Sequence, residues 1–105
     1  MDAASIPGRV VISSRAFERV FAAIAADALG VSASSTTAQV RDDRGSLHAE
    51  ITSPVSVTPG GADVLSLVDR ARADLARTGA RLTGADVSGS RIRITRITTP
   101  SRRTS

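Results

Sequence analysis

The chain has 105 residues with 14 basic and 10 acidic side chains, one histidine and no cysteine, which is the size of one domain with a small core. No disulfide, thiolate metal site or cysteine nucleophile can be built from it. Every basic residue is arginine, and five of them, Arg91, Arg93, Arg96, Arg102 and Arg103, follow residue 90 with no acid among them, so the positive excess is terminal.

An arginine-only chain rich in alanine, valine, glycine and threonine reads most simply as GC-rich coding rather than as selection for phosphate contacts. The start, MDAASIPG, carries Asp2 and no apolar run, so no secretory signal is expected. No stretch approaches the roughly 20 apolar residues that span a bilayer. A soluble, cytoplasmic protein is the expectation.

A short apolar run at residues 9–12 precedes SSRAFERVFAAIAADALGV. There Phe17, Val20, Phe21, Ile24 and Ala28 make one helical stripe, and Arg15, Glu18, Arg19 and Asp27 occupy the other side. Ser13 or Ser14 suits the N-terminal cap, and Gly30 the left-handed residue that ends the helix.

TTAQVRDDRGSLHAEIT reads as a hairpin. A four-residue turn, Asp42-Asp43-Arg44-Gly45, places Val40 opposite Leu47, Ala38 opposite Ala49 and Thr36 opposite Ile51. Gln39, Arg41, His48 and Glu50 then fall on a polar outer face. Val55 and Val57 keep the inward parity, so the strand is expected to pass through Pro54, which would face residue 33 where its missing N–H breaks no ladder bond.

A second helix follows, with Val64, Leu67, Val68, Ala71 and Leu75 as its stripe, Asp63 at its positive end and Gly79 closing it. The last strand covers residues 91–97, and residues 80–90 fit either a short strand or a loop. The predicted order is β-α-β-β-α-β, an α+β two-layer sandwich with an antiparallel sheet and both helices on one face. Residues 8–99 form the single domain in this reading, flanked by a flexible N-terminus at 1–7 and a flexible basic tail at 100–105.

Sites with a chemical signature are few. His48, the single histidine, falls on the wet face of a strand and reads as a solvated cross-strand residue. Asp42 and Asp43 read as turn formers. Gly79 and Gly84 have phosphate-loop spacing, but Ala85 and Asp86 stand where such a loop needs lysine and a hydroxyl. Gly60-Gly61 precedes a helix N-terminus whose Asp63 would repel an anion. No catalytic, cofactor or metal-ligating residue is assigned, no small-molecule substrate is expected, and the chain is read as not an enzyme.

The arginines form the candidate interaction surface. Arg91 and Arg93 alternate with Ile92 and Ile94 and so join Arg41, His48 and Glu50 on the open sheet face. Arg96 interrupts the alternation, which implies a bulge or the end of the ladder. Arg102 and Arg103 lie on the tail. Phe17 and Phe21 are both assigned to the buried stripe, so no ring is left on which a base could stack. Contact with RNA, DNA or anionic lipid through Arg91, Arg93, Arg96, Arg102 and Arg103 would rest on charge alone.

GRVVIS, then Val20, Ile24-Ala25, Ala28-Leu29 and Gly30-Val31, the hairpin VRDDRGSLHAEITSPVSV, a helix closed by Thr78-Gly79 and the final RIRITRI together resemble the alkaline shock protein family of bacterial envelope stress-response proteins. The likeness covers roughly residues 8–97. It departs at TPGG, where an aromatic-glycine pair is more usual, and in the extra GADVSG. The resemblance implies a non-enzymatic cytoplasmic protein without cofactor that self-associates as a homo-oligomer. It further implies work at the inner face of the membrane, through a membrane-anchored protein partner. The alternative reading is a basic module for nucleic acid or an anionic surface.

Overall fold

The computed structural model describes residues 14–100, without the side chains of Ser14 and Asp43. The expected strand at 9–12, the N-terminal segment 1–7 and the tail residues Arg102 and Arg103 lie outside the described residues.

The first helix, α1, runs Ser14–Leu29. Gly30 follows it at φ 76°, where its N–H donates to the Asp27 carbonyl and that of Val31 to the Ala26 carbonyl. This pair of hydrogen bonds around a left-handed glycine is the Schellman ending. Phe21, Ala25 and Leu29 are completely buried, with Ala22, Ala26 and Ala28 nearly so. The buried stripe is thus centred on Phe21, and Phe17, Val20 and Ile24 lie half-buried at its margin.

After a 3-10 turn at Ala33–Ser35, β1 (Thr37–Asp43) and β2 (Ser46–Ser56) form the hairpin. The inward and outward faces are those the alternation predicts, but the register differs by two: Val40 pairs with Ala49, Ala38 with Ile51, Gln39 with Glu50 and Arg41 with His48. Asp42 and Asp43 are therefore the last residues of a strand, and the loop is only Arg44-Gly45. Both loop residues have positive φ, 58° and 91°, which is the two-residue turn whose twist matches a hairpin. Thr36 and Ser53, both buried, share a hydroxyl hydrogen bond of 3.0 Å. Either register keeps apolar against apolar, so turn chemistry and the hydroxyl pair select between them.

The second helix, α2, is Val64–Thr83. Asp63 caps it, accepting from the Ser66 N–H at 2.8 Å, and that bond holds its carboxyl below the usual aspartate range. A depressed acid contributes stability above its ordinary titration range and loses it as the pH falls. The helix does not stop at Gly79. It continues to Gly84, which ends it at φ 76° with its N–H on the Ala80 carbonyl. Gly79 is instead buried inside the helix, where a Cβ would meet the Phe21 ring at 2.9 Å.

A helix of this length runs about 30 Å back along the sheet, so β3 (Val87–Thr98) starts beside the start of β2 and lies parallel to it. Residues 80–83 thus belong to α2 and 87–90 to β3. The sheet is three-stranded and mixed, in order β1-β2-β3, which corrects the expectation of an all-antiparallel sheet. Among the described residues the element order is α-β-β-α-β.

Both helices pack on the sheet face that carries Ala38, Leu47, Ala49, Ile51 and Val55, with Ile92 and Ile94 of β3 closing its far side. Pro54 lies within β2 but not opposite residue 33, because the β1 ladder ends at Thr37 with Thr52. It faces a bulge on β3: Ser53 pairs with Ile94 and Val55 with Ile97, leaving Thr95 and Arg96 opposite one proline that has no N–H to offer. The bulge expected at Arg96 is present, and the ladder continues past it.

Two substitutions test these constraints. Arg44→Asn should stabilise the fold by about 0.5–1 kcal/mol, since asparagine tolerates the left-handed region better than arginine, and thermal melts would register the gain. Gly79→Ala recovers roughly 1 kcal/mol of helix propensity, yet overpacking against a ring with no freedom costs about 1–3 kcal/mol. A net loss is therefore expected in denaturant titration, and an unchanged or raised midpoint would show that the helices can part.

Candidate functional site

The sheet face turned away from the helices gathers most of the residues singled out by the alternation. Cross-strand order puts Arg41 opposite His48, Gln39 opposite Glu50, and on the other side His48 beside Gly89, Glu50 beside Arg91 and Thr52 beside Arg93. Diagonal neighbours on such a face lie within reach of long side chains. Arg41 uses that reach, its Nη2 lying 3.1 Å from Oε2 of Glu50.

His48 Nε2 stands 3.8 Å from the same oxygen. The half-buried imidazole lies over Gly89, where a Cβ would meet its Nδ1 at 3.5 Å, an ordinary van der Waals contact. Glu50 is thus the hub of the face, shared by one guanidinium and one imidazole. Alternation alone does not pair it with Arg41, because the hairpin register that brings Arg41 diagonal to it depends on the length of the turn.

Arg91 and Arg93 are exposed and line, with Glu50 and Thr52, a depression of about 410 Å³ between β2 and β3. Among the described residues neither makes an ion pair, although Arg91 is in register with Glu50. Arg96 is exposed too, but it sits in the bulge, farther along the strand. Arg102 and Arg103 lie outside the described residues. Five of the eight expected surface residues, Arg41, His48, Glu50, Arg91 and Arg93, are therefore brought together.

The other motifs resolve as backbone features. Gly60 and Gly61 belong to a turn, with Gly61 N–H donating to the Thr58 carbonyl at 2.8 Å, and Gly84 is a helix cap. Among the described residues there is no group of three or more His, Cys, Asp or Glu side chains placed to hold a metal ion, and no helix is long and apolar enough to cross a membrane.

A residue that sequence reasoning passed over is Glu18. It lies on the polar side of α1, yet its Oε2 accepts the N–H of Val40 at 3.3 Å. A helix carboxylate therefore occupies one of the outward-pointing donors of the β1 edge. No periodicity announces this, since Glu18 occupies an ordinary solvent-side position in the helical pattern.

Comparison with protein-family models, curated proteins and solved structures returns no match for this chain.

Glu50→Gln removes the charge shared by Arg41 and His48. The Arg41 side chain is two-thirds exposed, so the expected cost is below about 1 kcal/mol and should shrink further in high salt. Melts at two ionic strengths measure it; a larger, salt-insensitive loss would mean that the pair organises the sheet.

Proposed function

We propose that this chain is a non-enzymatic, self-associating scaffold of the bacterial envelope stress response, acting in the cytoplasm through protein–protein contacts. In that reading the helices and the sheet make two layers, and the helix-free side of the sheet is the working surface. The observation that carries it is the mixed charge of that surface. Glu50 lies among Arg41, Arg91 and Arg93, with His48 beside it. A surface of both signs complements the surface of another protein and fixes register with it.

A strand of phosphates would instead favour uniform cations and a platform of exposed rings. Here an acid stands in the centre, Phe21 is fully buried and Phe17 half-buried. The spaced residues that resemble the alkaline shock protein family supply the cellular setting, including recruitment to the inner face of the membrane by an anchored partner.

Light scattering across a concentration series tests the reading, and the expected result is a mass that rises with concentration and falls in an Arg91→Glu/Arg93→Glu variant. Titration with RNA at 0.15 M salt should show negligible binding. A monomer at every concentration that also binds RNA, with a log-log salt slope of about −2 to −4 for three to five neutralised phosphates, would replace this reading with that of a basic nucleic-acid module.

A further inference from the structure

We infer that the edge of β1 that pairs with no strand among the described residues, together with the polar side of α1, forms a groove that takes an extended acidic segment of a partner protein as an added strand. The first observation is the direction of the backbone. In an antiparallel pair, residues alternate between bonding across the ladder and pointing away from it. The Val40 N–H goes to Glu18, not to β2. Its neighbour of the same parity, Ala38, therefore also presents its N–H and carbonyl outward. Ala38 is buried, and among the described residues no strand lies on that side of β1.

The second observation is the space in front of that edge. A cavity of about 470 Å³ lies between helix and strand, walled by Arg15, Glu18, Arg19 and Ala22 at one helical repeat and by Thr36 and Ala38 on the strand side. Strand addition requires such a trough: main-chain bonds supply affinity and the flanking side chains supply specificity.

The third observation is chemical. The Glu18 carboxylate sits on Val40 where the carbonyl of an incoming strand would sit, so the chain supplies its own stand-in for the missing acceptor. Arg15 and Arg19 line the same trough as Glu18, exposed and without an ion pair among the described residues. An incoming backbone displaces Glu18, and acidic side chains on that segment meet the two guanidinium groups. This surface is separate from the open sheet face, and the inference does not depend on the scaffold reading.

The test uses the full chain and a fluorescein-labelled, end-capped peptide, Asp-Val-Glu-Val-Glu-Val-Asp, with two controls: its lysine counterpart, and the same peptide with proline at its centre. At 0.15 M salt the acidic peptide should bind, and both controls should bind at least about tenfold more weakly, as expected for lost charge-assisted and main-chain hydrogen bonds. Arg15→Glu/Arg19→Glu should lose binding by a similar factor, whereas Arg70→Glu/Arg72→Glu, which makes the same charge change on α2, should not.

Glu18→Ala frees Val40 but also removes a negative charge, so the readout is a comparison of peptides of equal charge: binding of the acidic peptide should tighten several-fold more than that of its proline counterpart. Hydrogen exchange of the Ala38 and Val40 amides should slow on binding. The inference is overturned by absence of binding, by equal binding of the proline peptide, or by Glu18→Ala shifting the affinities of the two peptides alike. An Ala38 amide already as protected in the free chain as that of Gln39 would assign the groove to the chain's own N-terminal residues and overturn it as well.

Discussion

The contact between the Phe21 ring and the bare backbone of Gly79 sets the spacing on which the rest of the fold depends. A Cβ at position 79 would lie 2.9 Å from the ring, well inside the roughly 3.5–4.0 Å at which carbon atoms attract. Only glycine lets α1 and α2 approach so closely. The chain contains just two aromatic residues, and the buried one sits where both helices and the sheet meet. Around it the core is filled by small residues, Ala22, Ala25, Ala38 and Ala49, with Leu47, Ile51 and Leu75 supplying volume. The same contact fixes the roll of α1. With Phe21 turned inward, Glu18 and Ala22 at the adjoining turns face β1, and the polar side of the helix is held over the strand edge.

Much of this architecture is legible in the residues themselves. Both helices, the hairpin, the passage of β2 through Pro54 and the bulge at Arg96 follow from spacing and from the chemistry of proline and glycine. The hairpin register does not, because a shift of two residues preserves every inward and outward assignment. The discriminating terms are the conformation of Arg44 and one buried hydroxyl pair, and neither leaves a periodic trace. Gly79 was misread for a related reason. A glycine late in a helical pattern suits an ending, and only the position of Phe21, more than fifty residues earlier in the sequence, shows that it serves close packing.

The open face divides along the same line. Its membership follows from alternation, since odd residues of β1 and β3 and even residues of β2 share a side. Its connectivity does not, because which side chains come within reach of Glu50 depends on the diagonal that the register selects. The parallel direction of β3 is a third case. It follows from the length of α2, and α2 appears shorter when Gly79 is taken as its end.

The mixed sheet also orders the way in which the chain can close upon itself. Val40 and Ala49 meet across nine positions, whereas Ile51 and Ile92 meet across forty-one. Loop closure costs more entropy as the loop lengthens, so the hairpin assembles locally while the other side of the sheet must await a distant strand. Until β3 arrives, the flank of the core next to α2 lacks Ile92 and Ile94, which pack against Val55 and Ala71. On a chain made from its N-terminus this wall is supplied only after both helices and the hairpin, and this flank of α2 waits for β3.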